Sequence, residues 1–301
     1  MKSAAIFGFG IQGRKRAEIL RKKKIPFITV DPIIKDADYK YISDIKKDFL
    51  ENITHSFVCT PYKERMKILK KIIKFKTKIL IEKPGIFNQK EKNFFIKNSI
   101  NLKKKFYVGY NHRFENCILD LKKKISKIGK IYLVNMTYGN GTAKNIKISK
   151  WKDKNKFGVA MDLLPHLYDL YYFLFKSLPN KNDIKINSRK FENKTIDFVK
   201  ITSNKKIISK FCASYLYWEN FFEIFIIGSR GFLKLNGLPK WKKCFLTHGF
   251  RILPSGRPKM FQKSYKNVDL TWEKEIKIFL NNDFFFDLRK EIKVYELIKK
   301  C

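Results

Sequence analysis

The chain has 301 residues, with 66 Lys and Arg against 27 Asp and Glu, and a formal net charge of +39. A hydrophobic fraction of 44% with 15% aromatics can bury a sizeable core and excludes a disordered chain. No run reaches the roughly 18 apolar residues of a spanning helix, and five scattered cysteines without a CxxC pair speak against a disulfide framework or a zinc site.

The charge alone would suit a nucleic-acid or anionic-membrane binder. Yet 56 of the basic residues are Lys and only 10 are Arg, the residue suited to bidentate phosphate and base contacts. The lysines are spread over the whole length, so we expect a solvated surface, with no specific nucleic-acid partner and no membrane. The opening MKSAAIFGFG reads as a buried first strand rather than a leader, and the unpaired cysteines fit a reducing compartment. A cytoplasmic protein of two domains is expected from this length.

Residues 3–7 form an apolar strand that runs into Gly8-Phe9-Gly10-Ile11-Gln12-Gly13, and a helix follows over 14–24. Residues 26–30 are a second strand, closed by Asp31. Further strands at 56–60, 78–81 and 106–110 alternate with helices at 64–75 and 89–98. This alternation predicts a doubly wound parallel sheet, a Rossmann-type α/β domain over 1–115. After that come a helix at 116–127, a strand at 130–138 and an apolar helix at 165–175. Five consecutive strand-like segments fill 184–237, and the stretch 272–300 is helical. The second domain, 116–301, is therefore expected to be α+β around a large, mostly antiparallel sheet, its last helices packing back on the first domain.

The glycine run follows a strand, opens a helix and has an acid about 20 residues on, at the end of the next strand. In that setting Gly8 permits the tight turn, Gly10 admits a pyrophosphate to the backbone, and Gly13 allows close helix–strand packing. Helix N–H groups, including those around Ile11 and Gln12, would face the phosphates. Asp31 would accept from the adenosine ribose hydroxyls, and its charge would oppose a 2′-phosphate. NAD(H) is thus favoured over NADP(H).

Glu82-Lys83-Pro84 ends a parallel strand, where ligands of open sheets bind, and the proline keeps the Lys83 backbone extended. In Asp162-Leu163-Leu164-Pro165-His166 the proline suits a first helical turn. Asp162 would then sit just before the helix and His166 in its first turn, where the helix end disfavours imidazolium and a carboxylate favours it. Asp169 offers a second orienting carboxylate, and a core histidine serving no chemistry fits the same spacing. Tyr110-Asn111-His112-Arg113-Phe114 ends another strand. It fits a cleft lining and an interdomain hydrogen-bond cluster equally. No two of the four histidines lie at HxxxH spacing, so no catalytic metal is expected.

Taken in order, these segments resemble the Gfo/Idh/MocA oxidoreductases. Gly8–Gly13, Thr60-Pro61, Glu82-Lys83-Pro84, Tyr110–Phe114, Trp151, Asp162…His166…Asp169 and Gly228-Ser229-Arg230-Gly231 all have counterparts there. The resemblance implies an enzyme that moves hydride between a nicotinamide and a hydroxyl or keto carbon of a sugar, nucleotide-sugar or cyclitol. It implies Lys83, His166 and Asp162 as catalytic, with His166 the general acid/base. Gly8, Gly10, Ile11, Gln12, Gly13, Asp31, Thr60, Pro61, Glu82 and Lys83 would bind NAD. Tyr110, Asn111, Arg113, Asp162 and His166 would bind substrate, the Lys83–Pro84 bond would be cis, and subunits would pair through the second domain's sheet. Three departures stand out: Arg65 replaces a histidine, Leu164 replaces a glycine, and the glycines before Asp162 thin to Phe157-Gly158-Val159. A non-catalytic NAD-binding subunit on the same fold is the alternative.

Overall fold

The structure, a computed structural model, describes residues 2–143, 157–204 and 206–301; Trp151 lies outside them. The chain divides into two compact units. The first comprises Met1–Tyr110 with Trp272–Ile292, and the second Asn111–Thr271 with Lys293–Cys301.

In the first unit, β1 (Ala4–Phe7), β2 (Phe27–Val30), β3 (His55–Val58), β4 (Lys78–Glu82) and β5 (Phe106–Gly109) form one sheet in the order β2-β1-β3-β4-β5. Every pairing is parallel. β1, β3 and β5 are buried along their whole length, as expected of strands covered on both faces. The helices between them are α1 (Ile11–Lys22), a short α2 (Lys47–Glu51), α3 (Tyr62–Ile72) and α4 (Gln89–Lys97). Strand order reverses at β1, so the carboxyl ends of β1 and β3 flank the switch point at which such sheets bind ligands.

The core of this unit joins Ala4, Ile6, Leu20, Phe57 and Leu80 to Ile276, Phe279 and Leu280. The last three lie on α8 (Thr271–Leu280), which follows the second unit's strands in the chain. The final helix, α9 (Leu288–Lys299), has its first five residues in the first unit.

The second unit opens with α5 (Asn116–Lys124) and β6 (Ile131–Gly139). A short α6 (Gly158–Asp162) and an apolar α7 (Leu164–Phe175) follow. Seven strands come next: β7 (Ile184–Arg189), β8 (Phe198–Ser203), β9 (Ile208–Ser214), β10 (Phe221–Gly228), β11 (Gly231–Asn236), β12 (Cys244–Phe250) and β13 (Lys259–Tyr265). Together with β6 they make one sheet, β13-β12-β11-β10-β6-β9-β8-β7, antiparallel except where β6 meets β9. β10 shows why it is one-sided. Phe222, Ile224 and Ile226 are buried, while Phe221, Phe225 and Ile227 are only half-buried. α7 covers the buried face and is apolar almost all round, with His166 and Asp169 among its buried residues.

The parallel sheet and the large, mostly antiparallel sheet are those read from the sequence. β12 and β13 were not foreseen, nor were α2 and α6. Because α6 exists, Asp162 is the last residue of a helix rather than a residue of the loop before α7.

Candidate active site

The glycine turn after β1 gives each glycine a separate reason. Gly8 has φ +93°, and a Cβ there would lie 2.8 Å from the Thr60 nitrogen. A Cβ on Gly13 would lie 2.1 Å from the Gly8 carbonyl oxygen. At Gly10, the N-cap of α1, a Cβ would meet nothing within 4 Å. No side chain caps this helix end and no acid stands in its first turn, so its N–H groups and positive partial charge suit an anion. Two buried atoms nearby in sequence and fold have no hydrogen-bond partner among the described residues. They are Gln12 Oε1, beside Gly13, and Thr60 Oγ1, at the end of β3. An open backbone, a free helix end and two orphaned polar atoms at the switch point fit a dinucleotide phosphate group.

Asp31 ties the turn to the end of β2. One carboxylate oxygen accepts from the Phe9 N–H at 2.8 Å, and the other accepts from Ile33 and Ile34 at 2.9 and 3.1 Å. Pro61 is the N-cap of α3. The thiol of neighbouring Cys59 is pushed up to about 12 by burial and by Glu82, which keeps it protonated and unreactive.

Glu82 ends β4, and its carboxylate is engaged by the fully buried Arg16. Arg16 Nε donates at 3.0 Å and Nη2 at 2.6 Å, and Nη2 also reaches Glu275 at 3.1 Å. Burial alone would lower the Arg16 guanidinium, but the two carboxylates hold it well above its ordinary value. Lys83 follows, and its bond to Pro84 is cis. Two residues surround this turn: Tyr62, unread in the sequence, whose hydroxyl donates to the Lys83 carbonyl at 3.2 Å, and Arg65, read there only as a departure. Tyr110 is buried, and its hydroxyl donates to Glu291 at 3.0 Å.

The second unit gathers the remaining predicted residues around the start of α7. His166, in its first turn, is 7% exposed and stacks on His112 with 4.1 Å between ring centres. His112 Nδ1 lies 3.0 Å from Asn111 Oδ1, and its Nε2 lies 3.2 Å from Lys240 Nζ. Asn111 donates to Thr271 at 2.9 Å. Asp162 accepts from the Tyr215 hydroxyl at 2.9 Å. Its charge, after burial, helps push the Tyr138 phenol up. Asp169 is 1% exposed and pairs bidentately with Arg113, whose Nε donates at 2.6 Å. The carboxylate offered as a second orienting partner is thus engaged by Arg113.

The departures have local reasons. Gly158 has φ +44°, and a Cβ there would strike the Ile196 carbonyl oxygen at 2.0 Å. It is the glycine that α6 requires, and α6 carries Asp162. Leu164 is fully buried at the first residue of α7. His112, Lys240 and Tyr215 went unread as site residues. The one signal was that His112 sits inside the polar stretch after β5.

Among the described residues, no group of three or more His, Cys, Asp or Glu is arranged to hold a metal ion, and no helix is long and apolar enough to cross a membrane.

Residues 122–248 match the model of the Gfo/Idh/MocA oxidoreductase family, C-terminal alpha/beta domain. No curated protein sequence matches the chain. Solved structures share the fold over nearly the full length. A UDP-N-acetylglucosamine 3-dehydrogenase from Acidithiobacillus ferrooxidans is similar at 17% identity and TM-score 0.76, over 99% of this chain and 95% of that one. A myo-inositol 2-dehydrogenase from Lactobacillus plantarum is similar at 16% identity and TM-score 0.76, over 100% and 96%. An oxidoreductase from Agrobacterium radiobacter, solved with NAD+, L-tartaric acid and magnesium, is similar at 14% identity and TM-score 0.77, over 99% and 94%. At these identities the likeness is one of fold. Residues 122–248 thus match the family's C-terminal domain, and the chain as a whole shares the two-sheet fold of these solved oxidoreductases.

Proposed function

We propose that the protein is an NAD-dependent oxidoreductase acting on a hydroxyl or keto carbon of a sugar, nucleotide-sugar or cyclitol. The observation that carries the reading is the cradle at Gly10: an uncapped helix N-terminus with open space over the backbone, at the switch point of a parallel sheet. Gly8, Gly10, Ile11, Gln12, Gly13, Thr60 and Pro61 hold the dinucleotide. Asp31 takes the ribose hydroxyls and disfavours a 2′-phosphate, which makes NAD the cofactor. When bound, the nicotinamide accepts or returns the hydride.

The chain's own residues supply alignment and the proton path. Lys83 hydrogen-bonds the reacting oxygen. His166 takes the hydroxyl proton in oxidation and returns it in reduction, as a general acid/base. Asp162 orients His166, a role supported by the engagement of Asp169 with Arg113. Tyr110, Asn111 and Arg113 contribute to the substrate side, Arg113 and Asn111 through the network that sets α7 and His112.

The open face of the large sheet supports self-association. Leu133, Ile227 and Phe232 are half-buried and lie in one cross-strand row, the kind of apolar strip that two copies can share. Five unpaired cysteines support a cytoplasmic setting.

The test is hydride transfer to NAD+ from a panel of sugars, cyclitols and UDP-sugars, followed at the nicotinamide absorbance. Lys83→Ala and His166→Ala should each lose about a hundred-fold or more while NADH binding, followed by its fluorescence, persists. Wild-type rates in both variants would remove the assigned roles. NADH binding without turnover on any compound would leave a non-catalytic NAD-binding subunit as the reading.

A further inference from the structure

The three carbonyl groups of Glu82, Lys83 and Pro84 all accept hydrogen bonds from side chains of one helix, α3. Arg65 Nη1 donates to Glu82 O at 2.7 Å and to Pro84 O at 2.9 Å. The Tyr62 hydroxyl donates to Lys83 O between them, at 3.2 Å. Tyr62 and Arg65 are three residues apart, one turn, and so share a face of the helix.

Neither donor is free to wander. Arg65 is fully buried on the stripe that also carries Leu69 and Ile72. Its Nε donates to Glu91 Oε1 at 2.9 Å, and its Nη2 is bonded to Glu91 Oε2. Burial alone would depress the Arg65 guanidinium, but Glu91 more than offsets this and holds it above its ordinary range. Glu91 is itself buried and accepts from the Phe87 N–H at 2.7 Å. The Tyr62 ring stacks on Phe87 with 4.1 Å between centres. Gly85, directly after Pro84, is pressed from another side: a Cβ there would sit 2.3 Å from Glu291 Oε2.

We propose that Tyr62 and Arg65 are positioning residues that fix the backbone of Lys83, and hence where its ammonium can reach. The proposal rests on the catalytic reading of Lys83 given above. A lysine has a long flexible stem, so the only rigid reference for its head group is the backbone from which it springs. Misplacing a reacting group by about 1 Å can cost about a hundred-fold in rate. An arginine satisfies this turn well, because one guanidinium nitrogen bridges two carbonyls while the other two nitrogens anchor to a carboxylate. Arg65 is therefore a working part of the turn and not a degraded position.

The experiment uses two variants, Tyr62→Phe and Arg65→Gln, in the full-length protein. Tyr62→Phe keeps the ring stack and removes only the hydroxyl, so it remains informative where Arg65→Gln fails to fold. Hydrogen exchange of the amides of Lys83 and residues 85–87, measured by mass spectrometry with NAD+ present, should quicken by about tenfold or more in each variant while the rest of the first unit is unaltered. Turnover is measured with NAD+ and, as probes, UDP-N-acetylglucosamine and myo-inositol. In Tyr62→Phe, kcat should fall by about tenfold with the KM for NAD+ unchanged. The same substitution in a Lys83→Ala background should cost less than about twofold, because its effect passes through Lys83. Unchanged exchange at Lys83 and residues 85–87 in both variants, or a full-sized Tyr62→Phe effect without Lys83, would overturn the proposal. Failure of the enzyme reading shows separately, as a wild type that turns over neither probe, and exchange then decides whether α3 holds the turn.

Discussion

The imidazole rings of His112 and His166 lie face to face, 18° from parallel. Asn111 gives its amide nitrogen to Thr271, so its oxygen faces His112 Nδ1 as an acceptor. This assigns the ring hydrogen to Nδ1 and leaves Nε2 to accept from Lys240. His112 thus presents one fixed tautomer and one fixed face to His166.

His112→Phe keeps that face and removes both hydrogen bonds. Taking partners from Asn111 and Lys240 in a buried cluster should lower stability by about 1–3 kcal/mol. Urea unfolding measures this. Because the His166 ring rests on this face, turnover should fall in the same variant while NADH affinity holds.

Two glycines three residues apart should separate folding from binding. Gly13→Ala drives a Cβ against the Gly8 carbonyl and should cost about 1–3 kcal/mol or more in thermal or urea unfolding. Gly10 has an ordinary φ of -72° and empty space around its Cβ position. Gly10→Ala should therefore leave stability within about 0.5 kcal/mol and weaken NADH by about tenfold or more, read by fluorescence titration. A destabilised Gly10→Ala with intact NADH binding would contradict the cradle.

Asp31 offers a test of cofactor choice. Replacing it with Ser removes a charge that would face a 2′-phosphate at close range, an interaction of about 1 kcal/mol even in water and more near protein. The ratio of kcat/KM for NADP+ over NAD+ should rise by about tenfold. Some stability should also be lost, since Phe9, Ile33 and Ile34 all donate to this carboxylate.

Acid should weaken the first unit through His55. Burial, with the charge of Lys2 next, holds His55 down to about 4, against about 6.5 when unfolded. Between those values the unfolded chain binds a proton that the folded chain refuses. Stability is therefore full above about pH 6.5 and falls steadily toward pH 4, by on the order of 2 kcal/mol. His55→Gln should flatten that part of the stability–pH curve, measured by denaturant unfolding at fixed pH.

What could be read in advance had a local pattern. β1 is a short apolar run between a start and a glycine turn, and β4 ends at a proline, so both declared themselves. β13 did not: six of its seven residues are exposed, and its strand form comes from pairing with β12 alone. α6 is five residues long, too short for a helical period to show. Arg65 was visible in the sequence only as a substitution, and its burial beside Leu69 and Ile72 came from the structure. Its partners, two carbonyls and Glu91, left no trace in sequence spacing. The pairing of Asp169 with Arg113 was hidden in the same way, by a separation of 56 residues.

Ile276, Phe279 and Leu280 complete a core whose other walls come from the first 107 residues. During synthesis, the parallel sheet emerges from the ribosome long before the helix that seals it. Until nearly the whole polypeptide is made, a strip around Phe57 and Tyr107 stays open to water and to chaperones. A stop codon anywhere before α8 would therefore spoil the nucleotide-facing half of the molecule as surely as the half in which it falls.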